Sequence, residues 1–179
     1  MTRPDTLSAL AGLDAEAAAR LQGRRPEATD AAEASLHALF DVGDDDEAAG
    51  LPRYLRLLFA ARAARVDGAH ELAEFYLELI DEERDGEAGT FSIDDAHALV
   101  IGGVESAAGR PSPRRIRAAL RHVDLLVQRP AAATSDDLDA LSTAGWSVTE
   151  TVVLSQIVSF VTYQTRVVAG LRVLQEARA

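Results

Sequence analysis

The four histidines are the side chains of this sequence best suited to ligate a metal ion or to move a proton near neutral pH. They are His37, His70, His97 and His122, and they lie on four different predicted helices. None belongs to an H-x-H or H-E-x-x-H pattern, which would put two ligands on one face of an element. We therefore expect no metal site, and no pattern in the chain predicts a bound cofactor.

Cysteine is absent from the chain. This excludes disulfides, cysteine-ligated zinc, iron–sulfur centres and thiol nucleophiles together. The sequence also lacks a P-loop, a G-x-G-x-x-G turn and a G-x-S-x-G elbow, so nucleotide, dinucleotide and α/β-hydrolase chemistry have no support. The acidic stretch 41–50, DVGDDDEAAG, lacks the alternating ligands and central glycine of a calcium loop and is predicted to be a solvated connector.

Arginine supplies all 18 basic residues, and two sets of arginines need partners. Arg62 lies at the centre of the apolar face of a predicted helix, where an unpaired guanidinium is costly. We expect an ion pair there, within the chain or between subunits, with an anionic ligand as the alternative. The second set opens a later helix and opposes its dipole, which indicates acidic partners, such as a neighbouring subunit's acidic helix, or a phosphate. It comprises Arg110, Arg114, Arg115, Arg117 and Arg121.

Length and charge bound the class of protein. A chain of 179 residues with 47% apolar residues is sufficient for one well-buried globular unit. A net charge of −11 argues against binding to nucleic acid or to an anionic membrane. The first residues contain no continuous apolar stretch typical of a signal peptide, and no window approaches 18 uninterrupted apolar residues. The expected location is the cytoplasm.

Helical periodicity and helix-capping patterns recur along the whole chain. Ser92, Thr134 and Ser147 each precede an acidic residue by three positions, which is typical of a helix start. No stretch alternates with a strand's period of two. The fold class is therefore all-α, with about eight helices. Predicted helices carry Leu7 to Leu21 and span about 26–40, 51–66, 69–84, 92–103, 112–128, 134–145 and 147–175.

The last predicted helix is apolar around most of its circumference, which is typical of a central or interface helix. Gln164 falls within its apolar arc and needs a hydrogen-bond partner there. The polar stripe of this helix is formed by Ser155, Ser159, Thr162 and Arg166. Small polar side chains bonded to their own backbone explain the stripe best, and a stripe facing a pocket is the alternative.

The C-terminal half contains an ordered series of short motifs. They are Arg129-Pro130-Ala131, the cap Thr134-x-x-Asp137-Leu138, the stop Gly145-Trp146-Ser147, and Phe160 followed by Arg166. In their order and spacing they resemble the helical core of the alkylhydroperoxidase D / carboxymuconolactone decarboxylase superfamily, particularly its peroxidase-related subgroup. The resemblance implies a core over 51–179, preceded by an N-terminal helical extension over 1–50, in a single globular unit that forms homo-oligomers.

The catalytic positions of that superfamily are not kept. When the family's glycine break is aligned on Asp67-Gly68, its two cysteines fall at Ala69 and Leu72, and its histidine falls at Tyr76. Its glutamate falls at Leu57. A thiol relay needs the thiolate together with acid–base groups that move its protons. Thiol-dependent alkylhydroperoxidase activity is therefore expected to be absent, and whether another activity remains is open.

The leading hypothesis is a cysteine-free relative that binds a small molecule or serves as an accessory oligomeric protein. The alternative is a non-thiol acid–base enzyme of the carboxymuconolactone decarboxylase type, using a rearranged pocket with His70 nearby. The candidate pocket residues are Arg56, Tyr76, Gln156, Tyr163 and Arg166. Tyr76 should be buried. Its hydroxyl should point into a pocket near the polar residues of the last helix or, if that pocket is filled, bond a backbone carbonyl or the Arg62 network.

Overall fold

The computed structural model describes residues 5–41, 50–82, 92–106 and 114–177. Within these ranges the protein is all-α, which confirms the fold class predicted from the sequence. Among the described residues, the 3-10 turn Pro130–Ala132 joins two of the helices. The described part of the chain contains nine α-helices: α1 (Thr6–Leu10), α2 (Ala15–Gln22), α3 (Pro26–Phe40), α4 (Arg53–Val66), α5 (His70–Glu82), α6 (Ile93–Ser106), α7 (Arg114–Gln128), α8 (Ser135–Thr143) and α9 (Val148–Glu176).

Helix α4 is the centre of the fold. Residues 57–61 are fully buried, as are Ala63 and Ala64, and helices α5, α6, α7 and α9 all pack against α4. Its alanines let neighbouring helices approach closely, while Leu57, Leu58 and Phe59 supply most of the buried apolar area. A helix buried on every side cannot show a polar face, which explains the weak amphipathic pattern of this segment.

The Asp67-Gly68 break makes a tight hairpin of α4 and α5. Gly68 has a φ of +81°, a conformation that glycine adopts without a steric cost. The amide of Ala69 donates to the carbonyl of Ala64 at 2.9 Å, which closes the end of α4. The first turn of α5 is thereby held next to the end of α4.

Helix α9 starts at a capping box in which Ser147 and Glu150 bond each other's backbone, as the sequence predicts. It packs against α1, α3, α4, α7 and α8. Among the described residues it is the one helix long and apolar enough to span a membrane by length and composition. About 39% of the most apolar part of α9 is buried within the chain. The face of α9 that points away from the other helices is exposed.

The first predicted helix is divided in two. Gly12 takes a φ of +72°, and Asp14 starts α2 by accepting from the amide of Ala17 at 2.7 Å. Leu7, Ala11 and Leu13 still form one apolar cluster, which packs against Val168 of α9. The apolar spacing that predicted one helix therefore spans two short helices and the turn between them, where Leu13 lies. The division at residue 51 stays a prediction, although the N-terminal segment packs directly on the core.

Helix α6 continues beyond its predicted end at Gly102-Gly103, with a non-helical backbone at Gly103. The predicted end was therefore a kink within the helix. Several predictions lie outside the described residues. They are the acidic connector at 42–49, the end of the α5 prediction at Arg84, Arg110, and the start of α7 at residues 112–113.

Candidate functional site

Tyr76, which the resemblance would align with a catalytic histidine, is a core residue. It is 0% exposed, and its hydroxyl donates a 2.6 Å hydrogen bond to the side-chain oxygen of Gln164, which is 1% exposed. Burial raises the pKa of Tyr76 more than this hydrogen bond lowers it, so the hydroxyl stays protonated. None of the clefts lined by described residues includes Tyr76. Its hydroxyl is therefore bonded within the core, to a partner that neither expectation from the sequence named.

Arg56 and Leu57 are also structural. Arg56 is 3% exposed, and it donates to the carbonyl of Leu51 at 2.8 Å and to that of Leu39 at 2.9 Å. These bonds satisfy carbonyls near the end of α3 and before the start of α4. Leu57 is completely buried in the core. Neither side chain faces a cleft formed by the described residues.

Gln156 and Tyr163 lie on the outer face of α9. Gln156 is exposed, while Tyr163 is 41% exposed and stacks on Phe160 with ring centroids 6.2 Å apart. The hydroxyls of Ser155 and Ser159 each donate to the carbonyl four residues earlier at 2.8 Å. The hydroxyl side chains of the polar stripe are thus bonded to their own backbone, while its arginine lines the cleft described next. The five candidate pocket residues do not come together.

A cleft of about 450 Å³ lies where α5 begins, between α1, α5 and α9. Ala69 and Leu72, which the resemblance would align with two cysteines, line it together with Arg166. Its volume lies within the range of small-molecule sites. The full lining is Leu10, Asp67, Gly68, Ala69, His70, Glu71, Leu72, Thr165, Arg166, Val168, Ala169 and Arg172. We call this the α5 cleft.

Three polar contacts hold the walls of the α5 cleft together. The hydroxyl of Thr165 on α9 donates to the carboxylate of Asp67. Arg172, further along α9, bonds the carboxylate of Glu71 and donates to the carbonyl of Leu10 at 2.8 Å. The N-terminal segment, the start of α5 and the end of α9 are therefore all joined at the cleft.

His70 supplies the imidazole of the α5 cleft. It is exposed, and its Nδ1 lies 2.7 Å from a guanidinium nitrogen of Arg65. Arginine only donates, so Nδ1 accepts and the proton of the neutral ring is on Nε2. No group of three metal-ligating side chains occurs among the described residues. The chemistry available at the cleft is therefore that of single acid–base and hydrogen-bonding groups.

Arg62 has its expected partner within the chain. Its guanidinium forms two 2.7 Å bonds with Asp124 of α7 and donates to the carbonyls of Val100 and Ile101 at 3.0 and 3.2 Å. Gly103, with a φ of +58°, makes room for it, since an added Cβ would lie 2.5 Å from the guanidinium. The predicted ion pair is confirmed, and it is intramolecular.

Sequence reasoning missed Asp124, Thr165, Glu71 and Arg172 as contributors to these contacts. Asp124 lies 62 residues after its partner, and Thr165 lies 98 residues after Asp67. Such separations leave no periodic signal. The one local signal was the Asp67-Gly68 break, which marked the place where the cleft forms.

The chain matches no protein-family model, no curated protein and no solved structure. The resemblance to the alkylhydroperoxidase D superfamily therefore stays a prediction.

Proposed function

We propose that this protein binds a small organic acid with an apolar body in the α5 cleft. The observation that carries the proposal is the combination of an apolar floor with an unengaged cation. Leu72 and Val168 are buried beneath the cleft, while Arg166 is exposed at its edge. Among the described residues, no carboxylate pairs with Arg166. A carboxylate ligand would give it a charge-assisted partner.

The other charges of the cleft are already engaged by protein groups. Asp67 accepts from Thr165, and Glu71 is paired with Arg172. An added anion therefore meets Arg166 and the start of α5, where the first amides of a helix lack intrahelical acceptors. Ala69 and Leu72 would align with the two cysteines of the superfamily that the sequence resembles, and they give the cleft an unreactive apolar surface. The ligand is accordingly held and not attacked by a thiol.

The test is a binding titration with benzoate and hexanoate, followed by calorimetry and amide chemical shifts. We expect saturable binding that weakens roughly tenfold in Arg166→Gln, which removes one charge-assisted bond. Ala69→Phe should fill the cleft and abolish binding. The matched control is Arg24→Gln, an exposed arginine outside the cleft. Equal affinity in Arg166→Gln and Arg24→Gln, or no saturation by either acid, would overturn the proposal.

An acid–base enzyme of the carboxymuconolactone decarboxylase type is the second candidate, and His70 is the observation that favours it. Its protonated Nε2 can donate to a substrate, and the Arg65 contact orients the ring. Binding of the two acids should then survive in His70→Gln, while any conversion of a bound lactone acid should be lost. Binding without conversion in the unaltered protein would favour the first candidate.

We also propose that the protein forms a homo-oligomer through the outer face of α9. Val152 is 50% exposed, Val173 63% and Tyr163 41% on this face. Exposed apolar side chains repeated along one helix are typical of a contact surface. The outward position of these residues supports the accessory oligomeric role inferred from the sequence.

A further inference from the structure

A second and larger cleft, of about 930 Å³, is lined by several arginines, and we call it the arginine cleft. It lies between the end of α6, one face of α7, and α8. Arg114, Arg117 and Arg121 of α7 line it together with Arg129 and the ion-paired Arg62. Small residues such as Ala118 and Ala140 form parts of its walls and leave the volume open.

Among the described residues that line the arginine cleft, arginines outnumber carboxylates by five to three. Its three carboxylates are Glu105, Asp124 and Asp137. Asp124 is paired with Arg62, and Asp137 accepts from the amide and hydroxyl of Thr134 at 2.9 Å each. Among the described residues no carboxylate pairs with Arg121 or Arg129. A concentration of cations in a chain of net charge −11 needs a physical reason.

His122 supplies an independent observation within the same cleft. It lines the cleft and is 5% exposed, and neither ring nitrogen has a hydrogen-bond partner among the described residues. A buried polar group without a partner is costly, so such groups in folded proteins are usually bonded to water, an ion or a ligand. Burial lowers the pKa of this ring more than the charge of Asp137 raises it.

We infer that the arginine cleft binds a small phosphate-bearing polyanion, with the arginines contacting phosphate oxygens and His122 donating from one ring nitrogen. Guanidinium groups match phosphate geometry with two parallel hydrogen bonds. A concave site favours a small molecule over an acidic protein helix, because a helix would touch the exposed rim arginines and not the buried imidazole. The site is separate from the α5 cleft, so this inference does not depend on the function proposed there.

The experiment titrates the full chain with pyrophosphate at constant ionic strength, using calorimetry and the imidazole resonances. We expect saturable binding with a Kd below about 1 mM, and shifts of the His122 resonances without shifts of those of the exposed His37. The double variant Arg121→Gln/Arg129→Gln should weaken binding by about tenfold or more. Arg20→Gln/Arg24→Gln is the control, since it removes two exposed arginines of α2 and its following turn and should keep the affinity.

A third variant, His122→Phe, tests the buried ring. It should weaken pyrophosphate binding while a thermal melt shows that the chain is still folded. Equal weakening by the α2 control pair, or no saturation at about 10 mM pyrophosphate, would overturn the inference. So would tighter binding of single-stranded RNA than of pyrophosphate. Dissociation of an oligomer by the cleft variants, with pyrophosphate affinity unchanged, would assign the arginines to a subunit contact instead.

Discussion

The hydroxyl of Tyr76 donates a 2.6 Å hydrogen bond to the side-chain oxygen of Gln164, joining α5 to α9 across 88 residues of chain. Both side chains are almost completely buried. The hydrogen bond gives each of these buried polar groups a partner and so offsets the cost of removing it from water. The resemblance to the alkylhydroperoxidase D superfamily would put a catalytic histidine at Tyr76. In this chain Tyr76 instead forms a buried polar pair with Gln164.

Tyr76→Phe should lower the free energy of unfolding by about 1–3 kcal/mol, because it leaves the Gln164 oxygen buried without this donor. The double variant Tyr76→Phe/Gln164→Leu should lose less than the sum of the two single changes. Urea denaturation of the four proteins measures this coupling. Additive losses would mean that the two side chains act independently and that the hydrogen bond contributes nothing specific.

Asp124→Ala should destabilise the protein by about 2 kcal/mol or more, because Arg62 would keep its partly buried charge without a carboxylate. The estimate is below that for a fully buried pair, since the side chains of Arg62 and Asp124 are 11% and 26% exposed. Chemical denaturation checks it. Loss of less than about 0.5 kcal/mol would show that the carbonyls of Val100 and Ile101 are sufficient for the guanidinium.

Gly103→Ala should cost about 1–3 kcal/mol, because residue 103 has a φ of +58° and a new Cβ would approach Arg62. Gly170→Ala is the matched control. Gly170 lies within α9, and nothing is close to its added Cβ, so this change should stabilise the protein by about 0.5–1 kcal/mol. Thermal melts of the two variants should therefore shift in opposite directions.

Acidification from pH 7.5 to 5 should weaken folding through His122. Burial lowers the pKa of this ring in the folded protein below its ordinary value of about 6.5. The unfolded chain then binds the proton more readily than the folded protein. The stability contributed by the neutral ring is therefore present above the ordinary pKa and lost as the pH falls below it. His122→Phe should therefore make the loss of stability on acidification shallower.

His37 should change the pH dependence of stability in the direction opposite to His122. Its hydrogen bond with Asp41, together with the charge of that carboxylate, raises the pKa of His37. The stability that His37 contributes is therefore present at low pH and lost as the pH rises. His37→Gln should accordingly make the loss of stability on acidification steeper. Urea unfolding at several pH values measures both variants. Parallel pH profiles for His122→Phe and the unaltered protein would contradict the assignment.

No thiol-dependent hydroperoxidase activity is expected, because the chain contains no cysteine. The measurement is consumption of cumene hydroperoxide by the metal-free protein with dithiothreitol as reductant, against a protein-free blank. Turnover above the blank would require another reductant-coupled group and would contradict this prediction.

Sequence alone determined the helical class, the capping boxes of α8 and α9, and the absence of thiol chemistry. These properties depend on residue type and on spacings of three or four positions, which a helix converts directly into neighbours. Sequence also indicated that Arg62 and Gln164 need partners, because both lie within apolar faces. The sequence did not indicate which groups are the partners of these two side chains.

Only the tertiary structure decided that Tyr76 bonds Gln164, that Asp124 neutralises Arg62, and that Arg166 alone of the five candidate pocket residues lines the α5 cleft. Each of these outcomes depends on how helices far apart in the chain rotate and pack against one another. Helical periodicity gives the apolar face of a helix, but the partner of that face follows from packing the complete set of helices around α4.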